Sequence, residues 1–243
     1  MEKLINKIKE NGYWKIIIRP VDYKENRISN KDEVAKIAEN SKIVFRGWDY
    51  PHIDHHEGIV RSGSDSVSSY CDWVEGGHLE FWKLYLNGQF IHYFSMREDF
   101  EIDDEYKQKV IQQVPSLNPD QKINGLFSII NALYSITEIF FFASNLAKIS
   151  KYGDETEIVI ELNNTKDRML FFWDSSGRFL SQSYICRYQP IKESIIIRTD
   201  DLITNTADLA LDFTINLFKE FNWKNANKNV FISDQTKLIE KRL

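Results

Sequence analysis

Alternating and clustered apolar positions divide the chain into short elements. Residues 13–19, YWKIIIR, are dense in aromatic and β-branched side chains and end at Pro20, the pattern of a strand. Before them, MEKLINKIKENGYW mixes charged and apolar residues without a long apolar core, which predicts a short amphipathic helix and not a signal peptide. KDEVAKIAEN, behind Ser29 or Asn30 as a cap and with Asp32 and Glu33 in its first turn, predicts a second helix. KIVFRG at 42–47 predicts a second strand. Residues 48–77 carry no clear period, and SGSDSVSS at 62–69 reads as a mobile serine-rich loop.

Further on, HLEFWKLYL and FIHYFSM flank Asn87-Gly88, the strongest short-range hairpin signal. EIVIELN and RMLFFWD, joined by NTKD, predict another hairpin, and SYICRYQ and SIIIR two more strands around Pro190. Residues 125–147, GLFSIINALYSITEIFFFASNLA, are long enough to span a bilayer and carry one charge, Glu138. Ser128, Asn131, Ser135, Glu138 and Asn145 nevertheless form a polar stripe at helical spacing, which favours a buried core helix. Glu138 should then face a cleft or pair with a cation or hydroxyl. ADLALDFTINLFKEFNW predicts an amphipathic helix, and a short apolar VFI precedes a charged, helical tail. Hairpins outnumber βαβ units, so the expected class is α+β: a largely antiparallel sheet covered on one face by the long central helix and a C-terminal helix, in a single domain over 1–243.

Composition narrows the function classes. The 243 residues hold 16 Phe, 11 Tyr and 6 Trp, enough to build a large core. A net charge of -5 argues against wrapping nucleic acid with the whole surface, leaving only a local basic groove for that role. Two cysteines make neither a disulfide framework nor a zinc cluster, and they read as reduced thiols in a cytosolic protein.

All five histidines fall between 52 and 92, and RGWDYPHIDHHEG gathers three of them with two Asp and a Glu. Those residue types ligate transition metals. His52-x-Asp54-His55 echoes part of the HxHxDH pattern of metallo-β-lactamase-like hydrolases, but Tyr50 stands where its first His belongs and no His follows His92. HExxH, GxSxG, Walker, GxGxxG and CxxC motifs are absent. A nuclease-like Glu-Lys pair would need Glu80 and Lys83 on one face, whereas three-residue spacing in a strand puts them on opposite faces. Arg19, Arg46 and Arg198 each end an apolar run, and on neighbouring parallel strands they would line one edge as an anion site. Trp48, Tyr50 and Pro51 are expected to anchor the loop, with Trp48 buried deeply enough for Trp48→Ala to lower the melting temperature.

With YWKIIIRP before it and WVEGGHLEFWKLYLNGQFIHYF after it, RGWDYPHID resembles a bacterial protein group without assigned chemistry, marked by an "IRP" strand, a "RGWDYPHID" turn and a "W…G…E.W..Y.SGQF.H.F" hairpin. The resemblance covers most of the chain. It implies an accessory or sensor role, sometimes beside DNA-binding or defence modules, and transfers no catalytic residue.

The expectation is therefore a bacterial, cytoplasmic, non-catalytic binding or interaction module, linked to anti-phage defence or nucleic acid. A protein partner, no membrane and no cofactor go with it. Ligand contacts are expected at Arg19, Arg46, Trp48, Tyr50, Glu138 and Arg198. The alternative is a metal-dependent hydrolase or nuclease using the loop at 52–57, with a divalent metal on His52, Asp54, His56 and His78. Against that alternative stands a turn geometry that points alternate side chains apart, with at least two loop histidines exposed to solvent.

Overall fold

The computed structural model describes residues 2–54, 57–114, 117, 120–150, 152–173 and 177–242. In chain order the elements begin with α1 (Glu2–Lys9), β1 (Tyr13–Pro20), α2 (Lys31–Ser41), β2 (Val60–Arg61) and β3 (Ser66–Trp73). Next come β4 (His78–Tyr85), β5 (Phe90–Ser95), α3 (Glu98–Glu101), α4 (Asp104–Gln112), β6 (Gly125–Ser128) and α5 (Ile129–Ser150). The chain continues through β7 (Glu155–Asn163), β8 (Arg168–Phe171) and β9 (Ile191–Arg198) to α6 (Thr199–Thr204), α7 (Thr206–Lys219) and α8 (Lys228–Ile239).

An antiparallel sheet of order β2-β3-β4-β5-β1-β7-β9 is the frame, as expected for the α+β class. Period-two alternation assigns its faces. Trp14, Ile16 and Ile18 of β1, with Trp82 and Leu84 of β4 and Phe90 of β5, point to the side where Leu133, Ile136, Phe140 and Phe142 of α5 complete the main core. On the other side Leu79 and Phe81 meet Leu4 and Ile8 of α1. Helix α5 is long and apolar enough to cross a membrane, yet 78% of its most apolar window is buried, so the protein's own core uses that surface. Helix α8 is tied in by Gln235, whose amide donates to Thr137 Oγ1 of α5 at 3.2 Å and to the Ala207 carbonyl at 2.8 Å.

Four expected elements differ. KIVFRG is not a strand: Ile43 and Tyr50 exchange both backbone hydrogen bonds, at 3.0 and 2.8 Å, closing a loop around Gly47 at φ +88°. A glycine is needed there because that left-handed conformation penalises a β-carbon. SGSDSVSS is not a mobile loop. Its second half starts β3, with Ser66, Ser68 and Ser69 all buried, and Ser69 Oγ donates to the Gly58 carbonyl at 2.8 Å while accepting from Asp54 N at 3.0 Å. RMLFFWD does not return on EIVIELN: β8 pairs in parallel with β6 in a separate small sheet. There Arg168 is almost fully buried and donates to Asp99 Oδ1 (2.7 Å), the Leu126 carbonyl (3.1 Å) and the Asn164 carbonyl (2.7 Å). Those partners hold β8 away from the hairpin position. SYICRYQ forms a single bridge, Ile185 to Met169, instead of a strand.

Candidate ligand-binding cleft

The inward side chains of β4 run His78, Glu80, Trp82, and the register with β5 sets His92 opposite Trp82 and diagonal to Glu80. Glu80 is 3% exposed. Its Oε1 accepts from His52 N at 2.8 Å. His92 Nε2 lies 2.8 Å from Oε1 and His78 Nε2 2.7 Å from Oε2, both off the N–H axis and so ion-pair contacts without in-line hydrogen bonds. Burial pushes the Glu80 carboxyl up, but the His92 charge and the contacts of both imidazoles outweigh it and hold the group well below the usual glutamate range. The other nitrogen of His92, Nδ1, lies 3.1 Å from the Tyr50 hydroxyl.

Side chains of β4 also staple the loop of residues 46–54 onto the sheet. Trp82 Nε1 donates to the His52 carbonyl at 2.6 Å, so both backbone groups of His52 are bound from below. His52 Nδ1 sits 3.0 Å from Asp49 Oδ1, and the hydrogen bond to that carboxylate raises the imidazole's pKa above its ordinary value. Tyr50 and Pro51 are buried anchors of this loop, as expected. Trp48 is not: it is 40% exposed and contacted by two guanidiniums, with Arg46 5.7 Å and Arg97 5.2 Å from the ring centroid. Trp48→Ala should therefore cost about 1–2 kcal/mol, against about 3–5 kcal/mol for the fully buried Trp82→Ala. Thermal melts of the two variants side by side check this, and equal losses would contradict the half-exposed placement.

Helix α5 contributes its polar stripe. Glu138, fully buried, accepts from Arg46 Nε at 3.0 Å and pairs with Arg46 Nη2, beside Ser135. Burial raises its pKa and Arg46 offsets that only in part. Glu98, also buried, accepts from Ser128 N at 3.0 Å and Asn131 Nδ2 at 3.4 Å, and burial raises its pKa too.

Two cavities meet at these groups. The inner one, about 40 Å³, is lined by Arg46, Tyr50, Glu80, Glu98, Asn131 and Ser135 among others, with room for about one or two water molecules. The outer one, about 600 Å³, is lined by Trp48, His52, Asp54, Cys71, Trp73, Gly76, His78 and Arg97. Trp48, His78 and Arg97 line both.

Of the residues expected from the sequence, Arg46, Trp48, Tyr50, Glu138, His52, Asp54 and His78 come together here. Arg19 and Arg198 do not. They lie on β1 and β9 at the far end of the sheet, aligned with Glu157 and Glu155 of the intervening β7, and Arg19 pairs with Glu157 at 2.6 Å. The three arginines therefore share no edge. In the metal reading, His56 lies outside the described residues. His52 and His78 meet edge to face, 5.8 Å between centroids, but each has a ring nitrogen engaged with a carboxylate. Among the described residues no group of three His, Cys, Asp or Glu is placed to hold a metal ion. His52 is only partly exposed, and His55, like His56, lies outside the described residues.

Glu80 as the hub, His92, Arg97, Glu98 and Trp73 were not singled out by the sequence. The signal for the first two was present: a strand reading of HLEFWK puts His78, Glu80 and Trp82 on one face, and three polar or amphipathic groups on a core face ask for partners. No protein-family model, no curated protein and no solved structure matches the chain, so its chemistry rests on this geometry alone.

Proposed function

We propose that the protein is a non-catalytic binding module that takes a small ligand in the cleft between Trp48 and Trp73. One observation carries the reading: the ionisable floor of the cleft is closed on itself, while two indoles stay exposed above it. Glu80 is engaged by His52 N, His78 and His92, and Glu138 by Arg46. A general base needs a proton to abstract, and these carboxylates already face internal donors. Cys71 is the cleft's thiol, and burial pushes its pKa up to about 11, so it makes a poor nucleophile. The bacterial, cytoplasmic setting beside defence or nucleic-acid modules, with a protein partner, extends the proposal from the RGWDYPHID resemblance.

A fragment screen followed by chemical-shift mapping tests the reading. Hits should perturb Trp48, Trp73 and His78 signals and lose affinity in Trp73→Ala. A screen in which no fragment reaches these residues would sink it. The metal-hydrolase reading draws on the contact of His52 with His78 beside Asp54. Metal analysis after incubation with zinc or manganese should find less than one equivalent bound. One tightly held equivalent, lost in His52→Ala, would put the hydrolase reading first.

A further inference from the structure

We infer that the cleft takes a flat aromatic ring bearing one anionic group, a carboxylate or a phosphate; this rests on the binding reading and adds the ligand's chemistry. The ring half follows from the two indoles. Trp73 is 60% exposed and Trp48 40%, and both line the same cavity of about 600 Å³, a volume within the range of small-molecule sites. Both rings are packed against neighbouring groups. Arg46 and Arg97 hold Trp48. Trp73 lies against the bare α-carbon of Gly76, where any β-carbon would collide with the ring. The turn that carries Gly76 is closed by a 2.9 Å bond from Gly77 N to the Val74 carbonyl. Exposed indoles held this firmly form a stacking platform whose ordering cost is met before a ligand arrives.

The anionic half follows from which charges face the cavity. Its lining holds three basic side chains, His52, His78 and Arg97, and one acid, Asp54. Each base has a carboxylate partner that is not part of that lining: Asp49 for His52, Glu80 for His78 and Glu101 for Arg97. The hydrogen bond to Asp49 favours the protonated His52 imidazole, and all three basic side chains border the cavity while their carboxylate partners do not. Arg97 gives Nε and Nη2 to Glu101 Oε1, at 2.7 and 2.6 Å, leaving Nη1 without a partner among the described residues. The one acid, Asp54, has its Oδ1 occupied by the Glu57 backbone N–H at 2.5 Å. An anion entering between Arg97 and His78 with its ring on the indoles matches both features.

Calorimetric titration of the whole chain with two matched pairs tests this: indole-3-carboxylate against indole, and adenosine 5′-monophosphate against adenosine. At least one anionic member should bind about tenfold tighter than its neutral partner, and the pair that does so tells carboxylate from phosphate. The preference should fall to about twofold or less in Arg97→Gln, and affinity for the ring should drop about tenfold in Trp73→Ala. Melting temperatures of both variants should stay near that of the parent, because both side chains lie at the cleft rim. Equal binding within both pairs overturns the anionic assignment and leaves the binding module standing. Undetectable binding of all four probes at about 1 mM overturns the inference as a whole. The binding reading fails separately, only if the fragment screen also leaves the cleft untouched. An undiminished preference in Arg97→Gln would overturn the anionic assignment.

Discussion

Glu80→Gln is expected to lower the unfolding free energy by about 3–5 kcal/mol at neutral pH, as large an effect as emptying the Trp82 site. The carboxylate is buried, receives His52 N, and sits within 2.8 Å of two imidazole nitrogens. An amide keeps the shape but not the charge, and its NH₂ end would face one of the imidazole nitrogens or His52 N–H. The pH dependence gives a second reading. The Glu80 carboxyl is held well below its ordinary value of 4.5, so its contribution is present above that value and lost as pH falls through the folded-state pKa. Urea denaturation of parent and variant should show the full gap at pH 7 and a narrowing gap as the pH drops below 4.5. A gap that stays constant on acidification would mean that packing, and not charge, makes Glu80 matter.

How much of this was legible in the sequence depends on whether each signal is local. The Asn87-Gly88 hairpin is local, with Gly88 at φ +88° in the turn, and once β4 and β5 are strands their faces follow. Helix α5 is equally plain from its apolar length and polar stripe. The Arg46 loop was not, because KIVFRG has a strand's composition while the group that draws Arg46 inward, Glu138, is 92 residues away. Serine-rich β3 was hidden for a related reason. Serine competes locally for backbone bonds and so reads as loop, and only the β4 ladder and the Gly58 carbonyl make its burial favourable. The departure of β8 from the expected hairpin depends on Arg168 meeting Asp99, 69 positions earlier. Polar pairs between distant segments have no period and no spacing for a sequence reading to find.

The Arg46–Glu138 pair carries the second large effect, and its size should depend on which partner is removed first. Arg46→Met should cost about 3–5 kcal/mol, since it leaves a fully buried carboxylate without its cation; Glu138→Leu should cost a similar amount by stranding the guanidinium. The double variant should be more stable than either single one, because two apolar side chains of similar reach remove both desolvation penalties together. Glu138 is already raised by burial with Arg46 present, so the folded state binds its proton more tightly than the unfolded chain does. Stability contributed by that proton is present at low pH and lost as pH rises past the ordinary value of 4.5, and removing Arg46 deepens the loss. The Arg46→Met penalty should thus grow from mildly acidic to neutral pH, while the Glu138→Leu penalty should shrink over the same range, because that variant lacks the group whose proton the parent loses. Arg46 also backs the Trp48 ring, so Arg46→Met and the double variant should share a more mobile Trp48, visible in fluorescence anisotropy, even where the double variant has regained its stability. Recovery of both together would show that Trp48 depends on core packing rather than on the guanidinium behind it.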